Sequence, residues 1–140
     1  MTKCVLLISF FLSTGLLAMD GFPLGEFSGT GVKRFPDGTS KNYEVTMKST
    51  GAGLDFTYVF PGISPIGFSL AMTFEKNGFF KVGNIGEGYC GEKMCHWQVS
   101  LGADDVEEWT LTFIENRVEK LGSRIHGTAK NFWEESLVKK

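Results

Sequence analysis

The sequence predicts an all-β domain: an antiparallel up-and-down meander of about eight strands that closes into a barrel, with a β-sandwich as the alternative. Three observations carry this. Apolar residues recur with a period of two, most clearly over residues 68–75. There Phe68, Leu70, Met72 and Phe74 share one face, and Ser69, Ala71, Thr73 and Glu75 share the other; a helix would repeat near every 3.6 residues. Turn residues punctuate these runs, as at Pro36-Asp37-Gly38 and Asn77-Gly78. The connections are short, whereas parallel pairing needs crossovers of about a dozen residues. A long meander leaves two raw edges unless it closes on itself.

Composition agrees. The 140 residues suffice for one domain. Eighteen glycines, thirteen phenylalanines and only four prolines fit a turn-rich ordered β domain rather than a disordered chain. Residues 1–18 stand apart from the domain, which is taken as 19–140. Met1-Thr2-Lys3 is a short positive start, the next fourteen residues carry no charge, and Ala18 is small. This is the three-part pattern of a secretory signal peptide. The apolar run is shorter than the ~20 residues that span a bilayer, which disfavours a retained anchor. The expected location is therefore secreted or periplasmic, with no stable membrane span after cleavage. Loss of Lys3 leaves the domain mildly acidic and without a basic cluster, which argues against nucleic acid as partner.

The elements follow in order. The first strand, 25–35, places Phe27, Gly29, Gly31 and Lys33 on one face; two glycines there suggest a bend or a close backbone approach. Strand two, 40–48, sets Tyr43, Val45 and Met47 together, and strand three, 54–60, sets Leu54, Phe56, Tyr58 and Phe60 together. Residues 61–67, with Pro61 and Pro65, cannot extend a ladder. They form an apolar loop expected at one barrel end, where it could gate access. Next comes a hairpin, 68–75 and 79–83, turned by Asn77-Gly78; that dipeptide tolerates positive φ at both centres of a two-residue type I′ turn. Strand six, 94–101, aligns Cys95, Trp97, Val99 and Leu101, and strand seven, 106–114, aligns Trp109, Leu111 and Phe113. A short strand, 117–121, turns at Leu121-Gly122-Ser123 into a last strand near 124–130. Residues 131–140 read as a short helical turn or a frayed end.

This pattern resembles the lipocalin and calycin group of small barrels. The resemblance rests on the signal peptide, the opening Gly25-Glu26-Phe27, the meander and a basic residue late in the chain. In lipocalins the opening is Gly-x-Trp, and an Arg of the last strand packs across that Trp. Here Phe27 stands for the Trp, and Arg124 or Arg117 would be the Arg. The chain is short, and the usual helix before the closing region is absent or vestigial. The resemblance implies a cavity holding a small, mostly apolar molecule.

The candidate ligand-binding residues are Phe56, Tyr58, Phe60, Phe68, Met72, Phe74, Trp97, Trp109 and Phe113, all on the more apolar faces of their strands. They line a pocket or they fill a core; barrels of about eight strands do either. Tyr58 is the most informative, because a buried hydroxyl needs a partner. Cys90 and Cys95, the pair left after cleavage, read as a disulfide. The neighbouring His96 raises a metal site, but zinc wants four ligands and only His126 remains as a further His. No Gly-x-Ser-x-Gly elbow accompanies either His. Asp104-Asp105 with Glu107-Glu108 does not match a calcium loop and reads as a solvated turn. The expected function is an exported lipocalin-like protein that binds a small hydrophobic ligand in the barrel, with no cofactor, no metal and no enzymatic activity. The alternative is a secreted structural or protein-interaction module with a filled core and no small-molecule ligand.

Overall fold

A computed structural model describes residues 24–140. Segment 1–18, expected from the sequence to be a signal peptide, lies outside the described residues. Eleven strands make up the fold: β1 (Gly25–Arg34), β2 (Ser40–Thr50), β3 (Gly53–Val59), β4 (Ile66–Ala71), β5 (Thr73–Phe74), β6 (Phe79–Val82), β7 (Gly86–Cys90), β8 (Met94–Gly102), β9 (Asp105–Ile114), β10 (Arg117–His126) and β11 (Ala129–Lys139). All belong to one antiparallel sheet, ordered β4-β3-β2-β1-β11-β10-β9-β8-β7-β6-β5. The result is a nearly closed barrel.

The sheet begins with β4 and ends with β5, yet only Met72 separates them in sequence. The period-two run predicted as one strand therefore changes partner midway. Its first half pairs with β3 and its tail with β6. Met72 is buried at this crossing, and its N–H donates to the Ala52 carbonyl at 2.9 Å. The chain itself bridges the seam of the barrel. The tip beyond β5 has the predicted dipeptide with positive φ at both positions, 63° at Asn77 and 83° at Gly78. The loop holds three residues, Lys76 included, rather than the expected two, because Glu75 N–H donates to the Phe79 carbonyl at 2.7 Å.

Three further expectations change. First, the described residues form eleven strands, not about eight. The split at Met72 adds one, and Gly86–Cys90 is a strand paired with both β6 and β8. Second, Leu121-Gly122-Ser123 is not a turn. β10 runs unbroken to His126, and the chain reverses at Gly127-Thr128; Gly127 supplies the positive φ of 59°. Third, residues 131–140 are neither helical nor frayed. All but Lys140 belong to β11, which pairs along its length with β1 and β10.

The inward face is apolar at one end of the barrel and mixed at the other. Phe27, Met47, Leu54, Leu111, Val118 and Leu137 are all buried at the end carrying the strand-linking turn Glu115-Asn116. Burying such side chains stabilises by roughly 25 cal/mol per Å² of apolar area. Gly31 shows why glycine sits in β1: a methyl group there would stand 2.4 Å from the Tyr43 ring. The lipocalin-type stacking of an Arg on the first-strand aromatic is not formed. Phe27 is buried, but Arg117 pairs with Glu119 at 2.8 Å and Arg124 with Asp105 at 2.7 Å.

Candidate functional site: an aromatic cavity with a charged floor

The other end of the barrel contains a cavity of about 380 Å³. This lies within the range of about 300–1,000 Å³ usual for small-molecule sites. Strand alternation aims Tyr43 of β2, Phe56 and Tyr58 of β3, Trp97 of β8, Trp109 of β9 and Trp133 of β11 into it. Phe60 closes the end of β3. Ile66, Gly67 and Phe68 bring the start of β4 to the mouth, where Phe68 is 44% exposed. The rings pack on one another: Tyr43 and Phe60 centroids are 4.8 Å apart, and those of Trp109 and Trp133 are 5.4 Å apart.

Six of the nine predicted residues meet here: Phe56, Tyr58, Phe60, Phe68, Trp97 and Trp109. The other three do not. Met72 is buried in the seam, Phe74 packs on Phe80 at 5.5 Å, and Phe113 is partly buried against the core. The period-two rule placed them on the correct face but could not say how far along the barrel the space extends.

Lys120 and Glu135 were missed. Both are inward and almost fully buried, and they face one another across the β10–β11 ladder. Lys120 Nζ lies 2.9 Å from Glu135 Oε2 and 3.1 Å from Oε1. It also donates to the Tyr58 hydroxyl at 2.9 Å, while Tyr43 donates its hydroxyl to Glu135 Oε1 at 2.8 Å. The ammonium sits 3.7 Å from the Trp109 ring centroid and 4.3 Å from that of Phe56, contacts that attract a cation electrostatically. Burial lowers the Lys120 pKa, against the pull of Glu135. Burial, together with the Glu135 charge, drives the Tyr43 and Tyr58 pKa values far upward, so both phenols stay protonated. The sequence did contain a signal. A hairpin about Gly127-Thr128 puts 120 opposite 135, each flanked by inward apolar residues, Val118 and Leu137.

Charged groups also line the mouth. Arg124 holds Asp105 through two bonds, Nε–Oδ1 at 2.8 Å and Nη2–Oδ2 at 2.7 Å. That pairing lowers the Asp105 pKa from 3.8 to about 2. His126 Nδ1 lies 3.1 Å from the same carboxylate but is largely exposed and does not line the cavity. The acidic turn is thus not uniformly solvated: Asp105 is covered by Arg124, and Glu107 accepts a hydrogen bond from the Trp109 indole. Lys33 stands 5.1 Å from the Trp133 ring and 5.0 Å from that of Phe35. Burial, reinforced by repulsion from Arg124, lowers its pKa.

A larger depression, about 810 Å³, lies between residues 60–64 and the neighbouring parts of β1 and β2. It opens more widely to solvent and includes the outward Thr30, Asn42 and Glu44. The loop predicted as a gate borders this depression, while Ile66 and Gly67 reach the mouth of the enclosed cavity. The disulfide joins Cys90 and Cys95 across β7 and β8. Neither sulfur lines the cavity, and His96 instead contacts Thr110 Oγ1 at 3.0 Å.

No family model matches the chain, and no curated protein matches it. Solved structures do. An S-type phycobiliprotein lyase, CPES from Guillardia theta, aligns with a TM-score of 0.65 at 7% identity, over 84% of this chain and 88% of that one. A DUF3598-family protein of unknown function from Nostoc punctiforme aligns with a TM-score of 0.62 at 11% identity, over 84% of this chain; the alignment spans about half of that protein, 47%. Rv2717c from M. tuberculosis aligns with a TM-score of 0.51 at 10% identity, over 84% and 92% of the two chains.

The fold is lipocalin-like.

At these identities the likeness carries the fold alone. It nonetheless corrects one expectation. The sequence carries no recognisable catalytic signature, so no enzymatic activity is expected from it, yet one structure sharing this architecture is named a lyase. The barrel plan therefore does not exclude catalysis. Among the described residues no helix is long and apolar enough to cross a membrane.

Proposed function

We propose that this protein binds a small, mostly apolar molecule in the aromatic cavity at one end of its barrel. The observation that carries this reading is the uneven filling of the interior. Aliphatic and aromatic side chains pack one end solidly, while six predicted aromatic residues surround about 380 Å³ of space at the other. A wholly filled barrel, the alternative, fits only the packed half. Binding is driven by removing apolar ligand surface from water, worth roughly 25 cal/mol per Å² before the costs of association. The Lys120–Glu135 pair and its two tyrosines hold the floor rigid, so little ordering remains to be done when a ligand enters. The reading includes export through residues 1–18, which the Cys90–Cys95 disulfide supports because such bonds persist in oxidising compartments.

The test is twofold. Organic extraction of the purified protein followed by mass spectrometry is expected to release an apolar compound. Titration of the emptied protein with apolar probes is expected to quench tryptophan emission, since Trp97, Trp109 and Trp133 all line the cavity. Absence of both an extracted compound and saturable quenching overturns the proposal.

A further inference from the structure

We infer that the ligand is uncharged and carries a carbonyl-type acceptor, which the Tyr58 hydroxyl meets at the cavity floor. This deepens the proposed function and rests on it.

The first argument is a hydrogen-bond count. The Lys120 ammonium has protons to give and none to take, so in its contact with Tyr58 it is the donor and the phenol oxygen the acceptor. The phenol keeps its own proton, which must point elsewhere. Tyr43 gives its own proton to Glu135 Oε1, and among the described residues no hydrogen bond joins the two hydroxyls. Among the described residues nothing accepts from Tyr58, although its side chain lines the cavity. A donor facing an apolar space without an acceptor costs free energy until a ligand supplies one.

The second argument is charge. Lys33, Lys120 and Arg124 line the cavity; Lys120 and Arg124 each have a carboxylate paired with them, while Lys33 stands at the mouth against the Phe35 and Trp133 rings. Glu135 faces Lys120 at 2.9 Å and Asp105 faces Arg124 at 2.7 Å. Glu107, also in the lining, acts on Lys33 through space. At the floor, where Tyr58 stands beside the Lys120–Glu135 pair, no excess of either sign remains to offset the desolvation of an ionic ligand. A ketone, aldehyde or ester satisfies the phenol without adding a charge.

The experiment compares three ligands of one chain length, about ten carbons to suit a cavity of this class: a methyl ketone, the alkane and the carboxylate. Tryptophan quenching reads their affinities for wild-type protein and for Tyr58→Phe. In wild type the ketone is expected to bind about tenfold tighter than the alkane, the size of one well-made buried hydrogen bond, and tighter than the carboxylate. In Tyr58→Phe the ratio of ketone to alkane affinity is expected to fall to about one, whatever the change in absolute affinity from the altered lining. Infrared spectroscopy of the wild-type complex gives a readout that needs no variant: the bound ketone's carbonyl stretch is expected below its value in alkane solvent. Equal binding of ketone and alkane with an unshifted stretch overturns the inference and leaves the pocket reading standing. Tighter binding of the carboxylate likewise overturns the uncharged class. Failure of all three to bind removes both readings together.

Discussion

Gly122 lies flat against the Trp109 indole. The two residues are cross-strand partners on β10 and β9, and a methyl group built on Gly122 would stand 2.2 Å from Trp109 Cε3. No rotation of a methyl relieves that approach, so the ring or the strand must move. Gly122→Ala is expected to lose about 1–3 kcal/mol of stability, the usual cost of overpacking a core. Chemical denaturation followed by tryptophan emission measures it, and the Trp109 contribution should shift in the native baseline.

Lys120 and Glu135 form an ion pair inside the barrel with 1% and 0% of their side chains exposed. Removing one partner strands the other charge in a dry site. Lys120→Met or Glu135→Leu alone is expected to cost about 3–5 kcal/mol. The double variant should lose well under the sum, because no charge is left unpaired. It should remain below wild type, since Tyr43 loses the acceptor of its hydroxyl. Urea unfolding of the four proteins closes the cycle; strict additivity contradicts the coupling.

Asp105 is held ionised chiefly by its hydrogen bond to Arg124. Its folded pKa, about 2, lies below the ordinary 3.8. The stabilisation is therefore fully present above the ordinary carboxylate value and is lost as pH falls from about 4 towards 2. Wild type should weaken across that window more steeply than Asp105→Asn. Parallel curves for the two proteins would show that the Arg124 pairing contributes nothing to acid stability.

The disulfide closes a short loop on the β7–β8 hairpin, with four residues between its cysteines. Loop-closure arithmetic gives about 2 kcal/mol for such a loop. Reduction, or Cys90→Ser with Cys95→Ser, should lower stability by that order. Apolar-probe affinity should not change, because neither sulfur lines the cavity. A large loss of binding on reduction would tie the bond to the site.

Much of the barrel was legible because alternation is a strong signal when one face is buried. Tyr43, Val45 and Met47, or Leu54 and Phe56, read inward and are inward. The failures share a cause: a residue whose type contradicts its register. Gly122 looks like a turn, but it is a strand position emptied to admit the indole. Lys120 and Glu135 look solvated, so the strands holding them lose their apolar faces, and β11 disappears into an apparent polar tail. Phe74 and Phe113 fail differently. Their orientation was readable, but their depth along the barrel depends on which strands meet at the seam, and that is a property of the closed sheet.

Every ladder but one in this sheet joins neighbours in sequence. The exception, β1 with β11, aligns Phe27 with Lys139 and Arg34 with Phe132 across most of the chain. Topologies that depend on such distant pairing fold slowly, because chain entropy is spent before the contacts form. On a ribosome this barrel has a definite order of completion. Ten strands, β1 to β10, can form their local pairings as they emerge, but β1 keeps one edge bare until β11 has been made. Lys120 waits with it, its ammonium without a mate until Glu135 arrives on that same strand. A nascent chain halted before β11 would present both an open edge and an uncompensated interior charge, which is the combination that quality-control proteases and chaperones meet in unfinished proteins.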